Sequence, residues 1–127
     1  MSPNDSAFAD PPVTGHAMIL QPTDLLARMA VAADAAASGP NWPRIQAYVR
    51  VELRRLAEFF TLLEKRRYEE QMDEGEARLW AHIAVHHAQT ALGQLELYGL
   101  KSAPDVVGAA VAAVRASVNR AVGFEVV

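Results

Sequence analysis

The central part of the chain, residues 41–99, alternates apolar and polar positions with the period of an α-helix. Between residues 42 and 71, apolar side chains recur every three or four residues, and polar side chains recur at the same steps on the opposite side. The apolar set is Ile45, Val49, Leu56, Phe59, Phe60 and Leu63, and the polar set is Arg50, Arg54, Glu58, Thr61, Lys65 and Glu69. This pattern predicts an amphipathic helix with one face in water.

A second helix is predicted over residues 74–98, and it is apolar on more than one side. One broad face carries Ala77, Trp80, Ala81, Ala84, Ala88, Ala91 and Leu95, and the other carries Leu79, Ile83 and Leu97 together with His86 and Thr90. Asp73 followed by Glu76 predicts its N-cap, and Gly99 followed by Leu100 predicts its end. A helix that is apolar all round is normally buried on two sides. We therefore expect it to be central, in contact with two further helices or with another subunit.

The remaining helices are shorter and flank this pair. Thr23 and Gly39-Pro40 bound a predicted helix over residues 23–38, and Ser102 and Gly123 bound another over residues 103–122. The short break at Met72-Asp73 favours antiparallel neighbours. The sequence thus predicts an all-α protein, a four-helix bundle built on a long antiparallel helical hairpin. We assign residues 23–127 to one domain and residues 1–22 to a flexible N-terminal tail.

Composition narrows the possible functions mainly by exclusion. The 127 residues include no cysteine, which removes disulfides, thiolate catalysis and zinc–thiolate sites. The formal net charge of −3 gives no general attraction to nucleic acid or to an anionic membrane. The longest uncharged run, Leu79 to Leu95, holds three histidines and two glutamines, so no membrane span is predicted. No signal peptide pattern is visible at the N-terminus, and a cytoplasmic location is the default expectation.

Three side chains are candidates for chemistry, beginning with two histidines on the second helix. His82 and His86 are four residues apart, a spacing that can place two imidazoles on one metal ion. Ala84 and Val85 stand between them, so the glutamate of zinc metalloproteases is missing. The Glu-x-x-His spacing of di-iron bundles is missing as well. The alternative is that these histidines form internal hydrogen bonds or line an interface.

Glu52 is the third candidate because helical geometry places it on the apolar face of the first long helix. It falls between Val49 and Leu56, where a carboxylate is costly to bury unless it is paired. We predict that Glu52 is mostly buried and paired with a cation or a histidine. In an antiparallel hairpin it could supply a third ligand to a metal at His82 and His86. The other possible source of that ligand is the same histidine pair of a symmetry-related subunit. The alternative is a contact with an arginine or a place at the edge of the bundle.

The basic side chains of the first long helix are interpreted as a solvated face. They are interleaved with acidic residues, namely Glu58, Glu64, Glu69 and Glu70, and lack aromatic partners for stacking on bases. No nucleic-acid binding is therefore predicted. The favoured function is a homo-oligomeric structural, interaction or accessory subunit without catalytic activity. The alternative is a bundle that binds a divalent metal or a small ligand through His82, His86 and Glu52; no other cofactor is expected.

Overall fold

Four α-helices account for most of the fold in the computed structural model, which describes residues 16–37 and 39–127. They are α1 (Pro22–Ala36), α2 (Trp42–Glu69), α3 (Glu74–Gly93) and α4 (Ala103–Val122), with a 3₁₀ segment, Gln94–Tyr98, directly after α3. No strand occurs among these residues. The prediction of an all-α fold is confirmed for the described part of the chain, and each predicted helix is present.

Side-chain caps and left-handed glycines set several of the helix boundaries. The Asp73 carboxylate accepts a hydrogen bond from the Glu76 amide at 2.8 Å, and the Ser102 hydroxyl accepts one from the Asp105 amide at 3.3 Å. Gly99 has a φ of 108°, a conformation that side chains other than glycine rarely adopt. Asp73, Ser102 and Gly99 are the predicted boundary residues. Short polar side chains such as those of Asp73 and Ser102 cap a helix because they satisfy the free amides at its start.

One cap and one helix end differ from the prediction, and the N-cap of α2 lacks a side-chain hydrogen bond. Thr23 lies inside α1, whose N-cap is Gln21 and whose first residue is Pro22; proline is suited to that position because it has no amide hydrogen to satisfy. Asn41 occupies the N-cap position of α2 but makes no capping hydrogen bond with its side chain. The second long helix is α-helical only to Gly93, and then tightens into the 3₁₀ segment, as helix C-termini often do.

A single cluster of apolar side chains holds the four helices together. Its largest fully buried members come from all of them, with Phe60, Leu53, Leu56 and Leu63 on α2, Leu25 and Met29 on α1, Leu92 on α3, and Val106, Val107 and Val114 on α4. The first and last helices, α1 and α4, form the most extensive helix–helix contact. Arg28 of α1 spans this contact, since its guanidinium donates to the Ala113 carbonyl at 3.0 Å and to the Ser117 hydroxyl at 3.1 Å.

Contacts near both ends of α2 join it to α3 and the 3₁₀ segment, and the antiparallel hairpin stays a prediction. Arg66, near the end of α2, lies over the ring of Trp80, near the start of α3. Near the other end of the pair, Tyr48 lines a groove together with Tyr98. α3 contacts both α2 and α4, but its buried residues, Ala77, Ala81, Ala88 and Leu92, lie along one side. The expected contact with two further helices is therefore present, although the buried residues of α3 in the described chain lie on one side of the helix.

The segments before α1 and after α4 both contact the helices. Leu20 is buried in the core, and the Asn119 side chain binds the backbone of Val126 and Val127, so the C-terminal tail is docked on α4. Of the predicted flexible tail, residues 1–15 lie outside the described residues.

Within the described ranges, no helix combines the length and the apolar character needed to cross a bilayer.

Candidate functional site: the outer face of the α2–α3 pair

The candidate histidines lie on the solvent-facing side of α3. His82, His86 and His87 are all exposed, and they line a shallow surface concavity of about 480 Å³ together with Ile83 and Thr90. The structure therefore brings the predicted pair, His82 and His86, into one concavity. Because both rings face outward, they are open to a ligand or to another protein chain.

Glu52 occupies a neighbouring groove and already has a partner. Its side chain is 15 % exposed, and its carboxylate accepts a hydrogen bond from the Arg55 guanidinium at 3.1 Å. Among the histidines, the groove that contains Glu52 is lined by His87, and neither His82 nor His86 lines it. Glu52 is thus paired with an arginine one helical turn away, which is the alternative given for it and not a pairing with a histidine.

A metal site within a single chain would need a third ligand near His82 and His86. No group of three or more His, Asp or Glu side chains in residues 16–37 and 39–127 is placed to hold a metal ion. The described part of one chain therefore offers the histidine pair without Glu52. Metal binding by His82 and His86 stays a prediction.

The groove between α2 and α3 has a volume of about 350 Å³ and is mostly apolar. The rings of Phe59 and Trp80 stack across it, with centroids 6.4 Å apart and planes 16° from parallel. The Arg66 guanidinium lies 5.4 Å from the centroid of the Trp80 ring, in the range of a cation–π contact. The rest of its lining is Glu52, Arg55, Leu56, Ile83, Ala84, His87 and Ala88.

Next to this groove, α3 presents a row of residues to solvent that we name the outer ridge: Leu79, Ile83, His86 and Thr90. Leu79 and Ile83 are each 57 % exposed, and Trp80 beside them is 39 % exposed. The alanines at 77, 81 and 88 occupy the opposite, buried side of the helix. The small residues of α3 therefore face the core, and several of its larger apolar residues face solvent.

A second groove extends this face toward the 3₁₀ segment. It has a volume of about 510 Å³ and is lined by Asn41, Arg44, Ile45, Tyr48, Leu95 and Tyr98. Tyr48 is 65 % exposed and Tyr98 is 69 % exposed. The two grooves and the outer ridge together form one amphipathic surface on the α2–α3 pair, which we call the α2–α3 face.

Basic side chains of α2 form ion pairs with acidic neighbours. Arg50 contacts Asp34 at 3.1 Å, and Arg66 contacts Glu70 at 3.8 Å. These pairs are largely exposed, so each contributes little to stability. They agree with the interpretation of a solvated face, and the absence of nucleic-acid binding stays a prediction.

Among the described residues, Glu64 is the most deeply buried acidic side chain, although it was predicted to lie on the solvated face. That placement is wrong, since Glu64 is fully buried. Its carboxylate accepts hydrogen bonds from the backbone amides of Ile19 and Leu20, both at 2.8 Å, and its Oε2 lies 2.7 Å from His16 Nε2. The His16 ring also stacks on Tyr68, with centroids 3.7 Å apart.

A sequence feature that could have identified Glu64 is its spacing from the core of α2. Leu53, Ala57, Phe60 and Glu64 are separated by four, three and four residues, so Glu64 continues a buried row. The donors that satisfy its carboxylate come from residues 16–20, far away in sequence. With both oxygens engaged, Glu64 fastens the segment before α1 to α2, which is a structural role.

Comparisons with known proteins add no functional information. No protein-family model matches the chain, and neither a curated protein nor a solved structure matches it.

Proposed function

We propose that this protein is a homo-oligomeric structural or accessory subunit, which associates with a second copy of itself through the α2–α3 face. The observation that supports the proposal is the exposure of Leu79, Trp80 and Ile83 on one surface. Single exposed apolar residues are common on protein surfaces, but a contiguous group of large ones usually marks an interaction site. Here they adjoin the apolar groove between α2 and α3.

The spacing along the outer ridge favours a helix as the partner. Leu79, Ile83, His86 and Thr90 are separated by four, three and four residues. This is the step pattern of a seam at which two helices pack at a small crossing angle. Such a seam can form between α3 helices of two copies related by a two-fold axis, since a two-fold interface uses the same patch on both subunits.

Charge does not oppose a second copy as the occupant of this face. The chain has a formal net charge of −3, so two copies repel each other weakly over most approaches. α3 carries no Asp, Glu, Lys or Arg from Leu79 to Leu95. Two ridges can therefore meet without bringing like charges together, and the groove beside each ridge carries a matched pair, Glu52 and Arg55.

The dimensions of the face are adequate for a stable dimer. At 1.5 Å per residue, the 20 residues of α3 give a length of about 30 Å. Two adjacent helices are roughly 20 Å wide, which gives a projected area of roughly 600 Å². A standard interface buries about 800 Å² of accessible surface on each partner. Because side-chain relief makes accessible area larger than projected area, the α2–α3 face is close to that size.

Replacing Ile83 by aspartate is expected to weaken self-association at least about 100-fold, because the variant places an unpaired carboxylate at the centre of the seam. Ile83 is exposed in the single chain, so the fold should be retained. Sedimentation velocity at micromolar concentration measures the association, and circular dichroism checks the helices.

The matched control is Val31→Asp, because Val31 is an apolar side chain on α1 that is 70 % exposed. It introduces the same charge on a different surface and should leave the oligomeric state unchanged. A wild-type protein that sediments as a 13.8 kDa monomer throughout the micromolar range would disprove the proposal. So would a dimer that Ile83→Asp and Val31→Asp weaken equally.

A further inference from the structure

The outer surface of α3 carries two histidines at a spacing that suits one metal ion. His82 and His86 are exposed, share one concavity and lie one helical turn apart, where side chains are neighbours. Within the described residues, no further His, Asp or Glu completes a group of three around them. We infer that two such pairs, one from each copy, form a four-imidazole site for a divalent transition metal such as zinc. This inference rests on the proposed self-association.

The composition of the site fits zinc and its neighbours in the transition series. Zinc sites in proteins are usually tetrahedral, and imidazole nitrogen is a preferred ligand for zinc, nickel and copper. Magnesium and calcium prefer oxygen ligands, and no carboxylate occurs between Leu79 and Leu95. Two histidines leave two positions of a tetrahedron unfilled, and a two-fold axis doubles the pair to four.

The position of the pair along α3 suits an antiparallel crossing of two ridges. His82 and His86 each lie two residues from Ala84. Suppose that two antiparallel α3 helices pack with the two-fold axis at the level of Ala84 along the helix. His82 of one copy then lies beside His86 of the other. All four imidazoles then lie within about one helical turn along the seam. His86 belongs to the outer ridge, and His82 is one turn before it on the same side of α3.

A metal also resolves an energetic difficulty of the apolar seam. When the ridges meet, the imidazole nitrogens of His82 and His86 lose water, and an unpaired buried polar atom is costly. Coordination by a metal satisfies one nitrogen of each ring. The other described histidines are placed differently, because His16 contacts Glu64 and His87 also lines the groove toward α2.

The test is sedimentation equilibrium of the untagged, full-length protein after treatment with a chelator, with and without added zinc. Zinc is expected to lower the dimer dissociation constant by about tenfold or more, because a ligand that binds only the dimer favours it. Elemental analysis should then give one zinc per two chains. His82→Ala and His86→Ala should each abolish the zinc effect, and His87→Ala is the matched control that should retain it.

Cobalt(II) provides a readout that a purely structural role of the histidines would not change. Four imidazoles around cobalt give the intense visible absorption of a tetrahedral complex, whereas cobalt in water is octahedral and absorbs weakly. The tetrahedral spectrum should appear with wild type and His87→Ala, and should be lost in His82→Ala and His86→Ala.

The outcomes separate this inference from the proposed function. A dimer whose dissociation constant is unchanged by zinc, nickel and cobalt overturns the metal site and leaves the self-association in place. A zinc effect that survives both His82→Ala and His86→Ala places the metal elsewhere and also overturns it. A monomer both with and without metal overturns the site and the proposed function together.

Discussion

Replacing Glu64 by leucine is expected to lower the free energy of unfolding by about 2 kcal/mol, because it removes the acceptor for one buried and two partly buried donors. The amides of Ile19 and Leu20 and the ring of His16 all contact the Glu64 carboxylate. Leucine has a suitable volume and polarity for the core but offers no acceptor. Either these donors stay buried without partners, or the segment detaches and withdraws Leu20 from the core.

Urea denaturation measures the loss of stability, and amide hydrogen exchange at Ile19 and Leu20 identifies its origin. Glu52→Leu is the matched control, since it makes the same substitution on the same helix. Its partner Arg55 is 65 % exposed and can return to water, so the expected change is within about 1 kcal/mol. Equal effects of the two substitutions, or unchanged exchange at Ile19 and Leu20 in Glu64→Leu, would contradict this account.

Gly99→Ala is expected to cost about 2 kcal/mol or more, for two separate reasons. The φ of 108° at Gly99 is strained for any residue with a side chain. In addition, a Cβ atom at this position would lie 2.6 Å from Nδ2 and 2.8 Å from Cβ of Asn41. Because Asn41 is the N-cap residue of α2, relief of this overlap would separate the 3₁₀ segment from the first turn of α2.

Thermal and urea denaturation of three variants separates the two causes. Gly93→Ala is the control, because Gly93 is helical and a Cβ atom there meets no other atom within 4 Å. It should be neutral or stabilise by about 0.5–1 kcal/mol, the usual gain from glycine to alanine in a helix. In the Asn41→Gly background, Gly99→Ala should lose the steric part of its cost and keep the backbone part. An unchanged cost in that background would show that the overlap with Asn41 is unimportant.

The helices and several of their ends could be predicted because their causes are local. The Asp73 and Ser102 caps act on amides three residues away, and Gly99 acts through its own backbone conformation. The tightening of α3 into a 3₁₀ segment after Gly93 was not predicted, since that stretch of the sequence contains no proline and no cap residue before Gly99. Residues 94–98 therefore form a 3₁₀ segment where the apolar periodicity predicted a continuous α-helix.

Glu52 and Glu64 of α2 differ in burial, and periodicity accounts for only part of the difference. Their helix is amphipathic, but the centre of its buried face runs along Leu53, Ala57 and Phe60. Glu52 precedes Leu53 and therefore lies about 100° round the helix from it, at the edge of the core. Glu64 lies on the centre line and is buried. Its burial depends on donors from residues 16–20, and the sequence of α2 alone contains no trace of them.

The α2–α3 face was only partly predictable. The sequence shows that α3 is apolar on more than one side, and it identifies His82 and His86 as neighbours. The sequence does not show which apolar side of α3 packs within its own chain. Apolar side chains are equally suited to burial against the same chain and to burial against another subunit. In the structure, the alanine-rich side packs inward, since small residues allow close approach of the helices, and Leu79 and Ile83 remain outside.

The extensive contact between α1 and α4 has a consequence for synthesis on the ribosome. Arg28 and its partner carbonyl at Ala113 are 85 residues apart, and at roughly 5–20 residues per second that interval lasts about 4–17 s. A helix as short as α1, with 15 residues, is marginal without tertiary packing. Until α4 is made, α2 can cover only part of α1. The nascent chain therefore carries Leu25 and Met29 incompletely covered for seconds, an interval during which a chaperone or a neighbouring chain can bind them.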